Sequence, residues 1–416
     1  MTEFTFSSLL RRGVSEIIVE QELLKLLESG KRLTLKQGFD PSTPDIHLGH
    51  VLGLRKLRQF QELGHKVILI VGDWTARIGD PSGQSYTRPM LSQSEVASNA
   101  QTYMKQFFKV VDKDKTEIRW QSEWYDRFTL DELIKLTSKF TVAQFLARED
   151  FHRRYSTGNP ISLTEMLYPL LQGYDSVVIK ADVEFGGTDQ KFNCLVGREL
   201  QEIMGQSPQQ VMLVPLLIGT DGNQKMSKSL GNHIGVDETP REMYGKVMSI
   251  PDTLMMDYFE LVTEVPDEEL AELREQLNTS SVNPMLLKKR LAHEIVKQFH
   301  GTQAADKAEE EFTQVFQRKQ PPKEIQIIEL RETTGISSKP GTETQEDVAS
   351  LLLEAGLVKS RSQARRLLVQ GAIEIDGEKA SSNLVTLKDG SIIRAGKRGF
   401  LKVAYSSEGK RDSTKS

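Results

Sequence analysis

Gly38-Phe39-Asp40-Pro41-Ser42-Thr43-Pro44-Asp45-Ile46-His47-Leu48-Gly49-His50 is the stretch around which the rest of this chain is arranged. Before it, Leu33-Thr34-Leu35-Lys36-Gln37 alternates apolar and polar residues and predicts a short strand. After it, Val51, Leu54, Leu57 and Leu63 recur at helical spacing until Gly64 supplies a stop. Two imidazoles therefore fall where a strand hands over to a helix N-terminus. The unpaired N–H groups and the positive end of the helix dipole there favour an anion. Gly49 has no side chain, which leaves room for a flat ring against the backbone. The stretch reads as a phosphate site with space for an adenine. Taken alone, His-x-Gly-His is equally a loop histidine beside a packed one, and the neighbouring segments decide.

Downstream, 66–72 is a continuous apolar strand of the kind found in buried parallel sheets. It opens into Asp80-Pro81-Ser82-Gly83-Gln84-Ser85, a polar turn-rich loop with Arg88 beyond. A helix is expected from Ser92 to about Lys109, and a strand over 117–120. Upstream, 16–27 is expected to be one amphipathic helix. Strands alternating with helices predict an α/β fold, a doubly wound parallel sheet with its site at the C-terminal strand ends. Residues 126–160 read as a helical insertion on that sheet.

Ser162 and Glu165 form a capping box opening a helix to about Tyr174. On it Tyr168, Gln172 and Asp175 share one face, where a core helix would carry apolar residues. A short strand over 183–185 leads into Gly186-Gly187-Thr188-Asp189-Gln190, a tight turn whose Asp189 is placed to accept from a sugar hydroxyl. The last strand is expected over 210–217, followed by a turn ending in Lys225-Met226-Ser227-Lys228-Ser229. Two lysines on a glycine-flanked loop suit a triphosphate. Neither a Walker A pattern nor Gly-x-Gly-x-x-Gly after a strand is present, which argues against P-loop and dinucleotide enzymes.

The chain has 416 residues, too long for one ordinary domain. Charged residues are 27% and hydrophobic ones 38%, a balance that supports a sizeable core. Its one cysteine, Cys194, excludes an intrachain disulfide framework and a multi-cysteine zinc site. Residues 1–13 lack the apolar run of a signal peptide, and no segment approaches ~18 uninterrupted apolar residues, so a cytoplasmic location without a membrane is expected. The net charge of −4 conceals an asymmetry: 351–416 holds 13 Lys and Arg against 7 Asp and Glu. A basic tail on an acidic body predicts a polyanion partner.

The segment 240–319 is helical in pattern, punctuated by Pro251, Pro266 and Asn283-Pro284, and 332–346 reads as a linker. The tail then combines a helix with Leu351, Leu352 and Leu353, a helix capped by Ser360 that carries Arg361, Arg365 and Arg366, and three short strands. A basic helix on small strands suits RNA.

With these segments assembled, the chain resembles the bacterial tyrosyl-tRNA synthetases over nearly its whole length. His47-Leu48-Gly49-His50 matches the first class I signature and Lys225-Met226-Ser227-Lys228-Ser229 the second. The resemblance implies a Rossmann-like catalytic domain over 1–235, an all-helical anticodon domain over 236–331, a linker over 332–346, a small α+β RNA-binding domain over 347–406 and a tail over 407–416. It implies catalysis by His47, His50, Lys225, Lys228 and Ser229, and ATP binding by His47, Gly49, His50, Gly187, Asp189 and Lys228. Tyrosine binding falls to Lys36, Gly38, Asp40, Asp80, Tyr168, Gln172, Asp175 and Gln190, with Arg88 on the pyrophosphate loop and Lys359, Arg361, Arg365 and Arg366 on RNA. Lys36 stands where the better-known branch has a tyrosine facing the substrate hydroxyl. ATP with Mg2+, L-tyrosine, tRNA(Tyr) and a homodimer are implied, with no protein-only metal cage. A tryptophanyl synthetase, a small-molecule adenylyltransferase and an idle synthetase-like RNA-binding protein are the rival readings.

Overall fold

The computed structural model describes residues 9–42, 45–82, 91–279, 281–317, 325–331, 344–396 and 399–406. It divides into two units, Met1–Glu309 and Glu310–Ser416. The first is built on six strands: β1 (Glu16–Ile18), β2 (Thr34–Phe39), β3 (Lys66–Val71), β4 (Thr116–Trp120), β5 (Val183–Gly187) and β6 (Gln210–Val214). Across the sheet they run β1-β6-β5-β2-β3-β4, parallel throughout except for β1 on β6. The chain winds outward from β2 through β3 to β4, then returns to place β5 and β6 on the other side. That reversal lies between β2 and β5, where a doubly wound sheet leaves a crevice at its C-terminal edge.

The strand segments fold this way because both faces of the sheet are covered. In β3 every residue after Lys66 is buried, and all of β6 is buried. The longer helices of this part of the chain are α1 (Glu20–Glu28), α2 (Leu48–Glu62), α3 (Gln93–Phe107), α4 (Leu163–Ile179) and α5 (Lys191–Ile203). Ser92 and Ser162 cap α3 and α4 with reciprocal Glu95 and Glu165 boxes. Helices α4 and α5 cross closely: a Cβ on Gly173 would stand 3.1 Å from the Gly197 backbone. Residues 126–160 supply short helices, Leu130–Thr137, Val142–Leu146 and Glu149–Ser156.

Three expectations about elements are corrected. Residues 16–27 do not form one helix: Ile17 and Ile18 pair antiparallel with Met212 and Val211, and Val19, at φ 58°, turns the chain into α1. The exposed edge of β6 offered those two β-branched residues a ladder that a helix could not. The last strand of the sheet ends at Val214 rather than at 217, because Pro215 has no N–H to extend the ladder. Residues 326–331, expected to close the helical block, are instead a strand.

The helical block holds Pro240–Val247, Met255–Val262, Asp267–Asn278, Pro284–His300 and Thr302–Phe312. Its prolines open helices: Pro240 and Pro284 occupy the first turn and Pro266 the cap. In the second unit, β7 (Gln326–Arg331) joins a five-stranded sheet with β9 (Ile373–Ile375), β10 (Glu378–Lys379), β12 (Ile392–Ala395) and β13 (Gly399–Ser406). There β7 pairs parallel with β13 alone. The alternation of Gln326-Ile327-Ile328-Glu329-Leu330 sends Ile328 into a core shared with Val348, Leu352, Ile393 and Val403. The expected linker also shortens, since β8 (Thr344–Asp347) pairs with β11 (Leu384–Leu387). Its remaining residues, 332–343, and the tail 407–416 lie outside the described residues.

Val19 is exposed and β-branched in a left-handed conformation, which costs an L-residue roughly 1–2 kcal/mol. Val19→Gly relieves that strain, so denaturant unfolding is expected to show a stability gain of about 1 kcal/mol, against the loss that a glycine normally brings.

Candidate active site

A cavity of about 330 Å³ opens at the C-terminal ends of β2 and β5. One side of its mouth is the start of α2. His47 is the cap residue, in extended backbone, and its Nδ1 accepts from the Gly49 N–H at 3.2 Å. Reciprocally, the His47 N–H donates to Nδ1 of His50 at 3.2 Å. The two rings lie 4.1 Å apart, centroid to centroid. With each Nδ1 used as an acceptor, each neutral ring carries its proton on Nε2. Burial pushes His50 down to about 4. Burial, then electrostatic interaction with His50, His233, Lys228 and Lys225, pushes His47 lower still. Both imidazoles are therefore neutral donors at pH 7. A Cβ on Gly49 would stand 3.0 Å from the His47 ring, so the flat group that requires this glycine is the chain's own imidazole.

The second signature reaches the same place. Leu48 N–H donates to Ile234 O at 2.9 Å and His47 bridges to Gly235, which ties the loop after the signature to the cap of α2. Asn232 holds the loop's shape: its Nδ2 donates to Asp221 Oδ2 at 2.9 Å and to Lys225 O at 3.1 Å, and its Oδ1 accepts from Ser227 N–H at 2.8 Å. Lys225 pairs with Asp189 at 2.9 Å and Lys228 with Asp45 at 2.5 Å. Of these lysines, Lys225 lines the cavity, while Lys228 and the exposed Ser229 stand outside its wall.

The far wall is α4. Tyr168, Gln172 and Asp175 all line the cavity, as do Gly38, Asp40, Asp80, Gly187, Asp189 and Gln190. Tyr168 donates to Asp40 Oδ2 at 2.8 Å, and Thr75 Oγ1 donates to its Oδ1 at 2.7 Å. Gln190 donates to Asp80 Oδ2 at 2.6 Å. A Cβ on Gly187 would meet Asp189 at 2.7 Å, whereas one on Gly38 would meet nothing. Asp175, 2% exposed, accepts from Gln121 Nε2 at 2.8 Å and Trp124 Nε1 at 3.2 Å. Burial pushes its carboxyl up to about 7, with Glu184 adding to the rise and Lys36 and the Gln121 bond opposing it.

A family model described as class I tRNA synthetases (W and Y) matches residues 28–317, and one described as a tyrosine–tRNA ligase C-terminal domain matches 329–402. The chain is 58% identical over 403 residues to the tyrosine–tRNA ligase of Dehalococcoides mccartyi strain CBDB1, covering 96% of this chain and 99% of that protein. It is 48% identical to the tyrosine–tRNA ligase of Thermotoga maritima, covering 95% and 96%. The chain belongs to the tyrosine–tRNA ligase family. Its fold matches a solved tyrosyl-tRNA synthetase of Archaeoglobus fulgidus complexed with L-tyrosine, at TM-score 0.59 and 24% identity over 73% of this chain and 98% of that one. A C-terminally truncated mitochondrial enzyme of Aspergillus nidulans matches at TM-score 0.64 and 21% identity, covering 76% and 95%.

Within this tyrosine–tRNA ligase frame, one residue expected to bind tyrosine is misplaced. Lys36 does not line the cavity. Its side chain is fully buried behind the wall and pairs with Glu184 at 2.9 Å. An ammonium in the dry interior needs acceptors on every hydrogen, and Lys36 finds them behind α4 rather than in the cavity. Among the cavity residues that escaped the sequence reading are Gln121 and Thr75. Gln121, one residue beyond β4, bonds Asp175 and accepts from the Thr75 N–H at 2.9 Å; Thr75 begins a single helical turn after β3. Their only signal was position at strand exits. Arg88 lies outside the described residues. In the second unit Lys359, Arg361, Arg365 and Arg366 are all exposed, on and before the helix Arg361–Val369. No group of three His, Cys, Asp or Glu able to hold a metal ion occurs among the described residues, and none of their helices is long and apolar enough to cross a membrane.

Asp175 titrates from an ordinary 3.8 to about 7 on folding. Its contribution to stability is full below pH 3.8 and is lost as pH rises through about 7, where the folded protein must bury a charge. Asp175→Asn removes that loss. The melting temperature of the variant relative to the native chain is expected to be higher at pH 8 than at pH 5, as calorimetry at the two pH values would show.

Proposed function

We propose that this chain activates L-tyrosine with ATP, giving tyrosyl-adenylate and pyrophosphate, and then passes tyrosine to the 3′ end of tRNA(Tyr). The observation that carries the reading is that the paired imidazoles, Lys225 and Asp175 all line one cavity. Such a transfer needs positioned donors and charges rather than a covalent nucleophile. His47 and His50 would donate from Nε2 to the phosphates. Lys225 and Lys228 are now held by Asp189 and Asp45, and would exchange those carboxylates for phosphate oxygens. Asp189, freed in that exchange, would take the ribose, and the nucleotide would lie along the cavity wall that Gly49 and Gly187 line.

At the other end, Asp175 would accept the phenol proton donor. A site with a buried carboxylate committed to that hydroxyl leaves an unpaired group when phenylalanine enters, which is strong discrimination. Tyr168, Gln172, Asp40, Asp80 and Gln190 would hold the amino acid's polar end beside Gly38. ATP would arrive as its Mg2+ complex, and the acidic side chains at the cavity, each already bonded to a neighbour, fit a metal brought by the substrate. Ser229 would steady the closed loop and Arg88 would meet pyrophosphate. The exposed Lys359, Arg361, Arg365 and Arg366 would bind tRNA, and the helical block would read the anticodon. A homodimer is supported by apolar residues left bare on and beside the helical insertion: Leu130, Ile134, Val142 and Leu163 are 58–81% exposed.

Replacing a charge-stabilising donor of this kind typically lowers turnover about 10²–10³-fold. Lys228→Ala is expected to lower tyrosine-dependent ATP–pyrophosphate exchange by that order, and undiminished exchange would remove the loop from the mechanism. Deleting the tail must respect β7, so the cut belongs after residue 317. The truncated enzyme is expected to keep full pyrophosphate exchange and to charge tRNA with a raised KM; equal charging would count against an RNA role for the tail.

A further inference from the structure

Beneath the cavity wall lies an ion pair whose burial calls for a reason. Lys36 on β2 and Glu184 on β5 face each other directly in the parallel register, and their side chains are 0% and 1% exposed. A pair of apolar residues would fill that space with less desolvation and comparable or better stability. What apolar residues cannot do is dictate how a neighbouring amide points. The three hydrogens of the Lys36 ammonium go to Glu184 Oε1 at 2.9 Å, Gln172 O at 2.7 Å and Ser176 Oγ at 2.7 Å. Glu184 Oε1 also accepts from Gln172 Nε2 at 3.1 Å, and its Oε2 accepts from Ser176 Oγ and from Gln209 Nε2. Both the carbonyl and the side-chain amide of Gln172 are thus held by the same two charges.

Glu184 Oε1 accepts from Lys36 and from Gln172, so the end of the Gln172 amide that meets it is its NH2 group. The other end, Oε1, is then the one presented at the cavity that Gln172 lines. We infer that the Lys36–Glu184 pair is a positioning device that locks the Gln172 amide with its oxygen toward the cavity, making it an acceptor for the primary ammonium of the substrate. This rests on the proposed tyrosine site and adds the residues that give it its preference for an α-amino group. Neither Lys36 nor Glu184 touches the substrate. Lys36 fixes Glu184 in place, Glu184 sets the amide, and the amide selects the ammonium.

Two probes differing only in that group isolate the effect: tyramine, a phenol with an ethylammonium arm, and 4-ethylphenol, the same phenol without the charge. Each is measured as a competitor of tyrosine in ATP–pyrophosphate exchange by the native enzyme and by Lys36→Met/Glu184→Leu, which removes the acceptor that holds the Gln172 NH2 group and leaves no lone buried charge. Tyramine is expected to weaken at least tenfold in the variant and 4-ethylphenol less than twofold, while KM for tyrosine rises and kcat stays within threefold. Equal weakening of both probes, the signature of a merely loosened wall, would overturn the inference, as would no change in either. If that double variant does not fold, Lys36→Met/Glu184→Met, which likewise offers no acceptor oxygen at 184, is read in its place with the same expected pattern. Absence of tyrosine-dependent exchange in the native chain would instead refute the proposed function, and calorimetric binding of the two probes would still decide the role of the pair.

Discussion

The first turn of α2 sets the constraint that the site obeys. A helix start carries N–H groups with no partner in the helix, and here it lies at the mouth of the cavity. Two histidines answer that need reciprocally, each spending Nδ1 on a backbone N–H. Everything close by follows from that choice. Capping holds the rings 4.1 Å apart, burial keeps them uncharged, and Gly49 has to be glycine because the His47 ring occupies the place of its side chain. The loop after Lys228 then docks on the same turn through Ile234 and Gly235. Two signatures far apart in the chain meet because one helix end requires a cover.

The free site is also electrically closed. Lys225 and Lys228 rest on carboxylates, Tyr168 on Asp40, and Gln190 on Asp80. Each contact is partly exposed or at the cavity surface, where an ion pair is worth little and is readily traded for another anion. The Lys36–Glu184 pair differs in kind. With both groups out of water, breaking it leaves a bare charge, so it stays fixed while the surface pairs exchange. The site therefore has a rigid back and a replaceable front.

Much of this was legible because local rules and tertiary structure agreed. The Ser162–Glu165 and Ser92–Glu95 boxes, the apolar run of β3 and the polar face of α4 needed no knowledge of their partners. The failures share a cause, which is dependence on distant segments. Alternation in Leu35-Lys36-Gln37 normally sends the polar residue toward water, but a sheet covered on both faces has no wet side. Lys36 could be placed only with knowledge of Glu184. Ile17 and Ile18 fit a helix pattern until the edge of β6 is in view. Residues 326–331 look like the end of a helical block until β13 appears beside them. Gln121 follows its strand with no pattern of its own, and only the fold brings it to Asp175.

The pairing of β7 with β13 has a temporal side. In the second unit's five-stranded sheet, residues 326–331 touch one strand only, and that strand is made from residues 399–406. On the ribosome, elongation at about 5–20 residues per second leaves β7 without its neighbour for several seconds after it is made. The catalytic sheet is complete by residue 214, although its edge strand β1 also waits, for β6. Nascent chains thus acquire the ATP-facing half first and carry an open strand edge behind it, a natural docking point for a chaperone that recognises extended backbone.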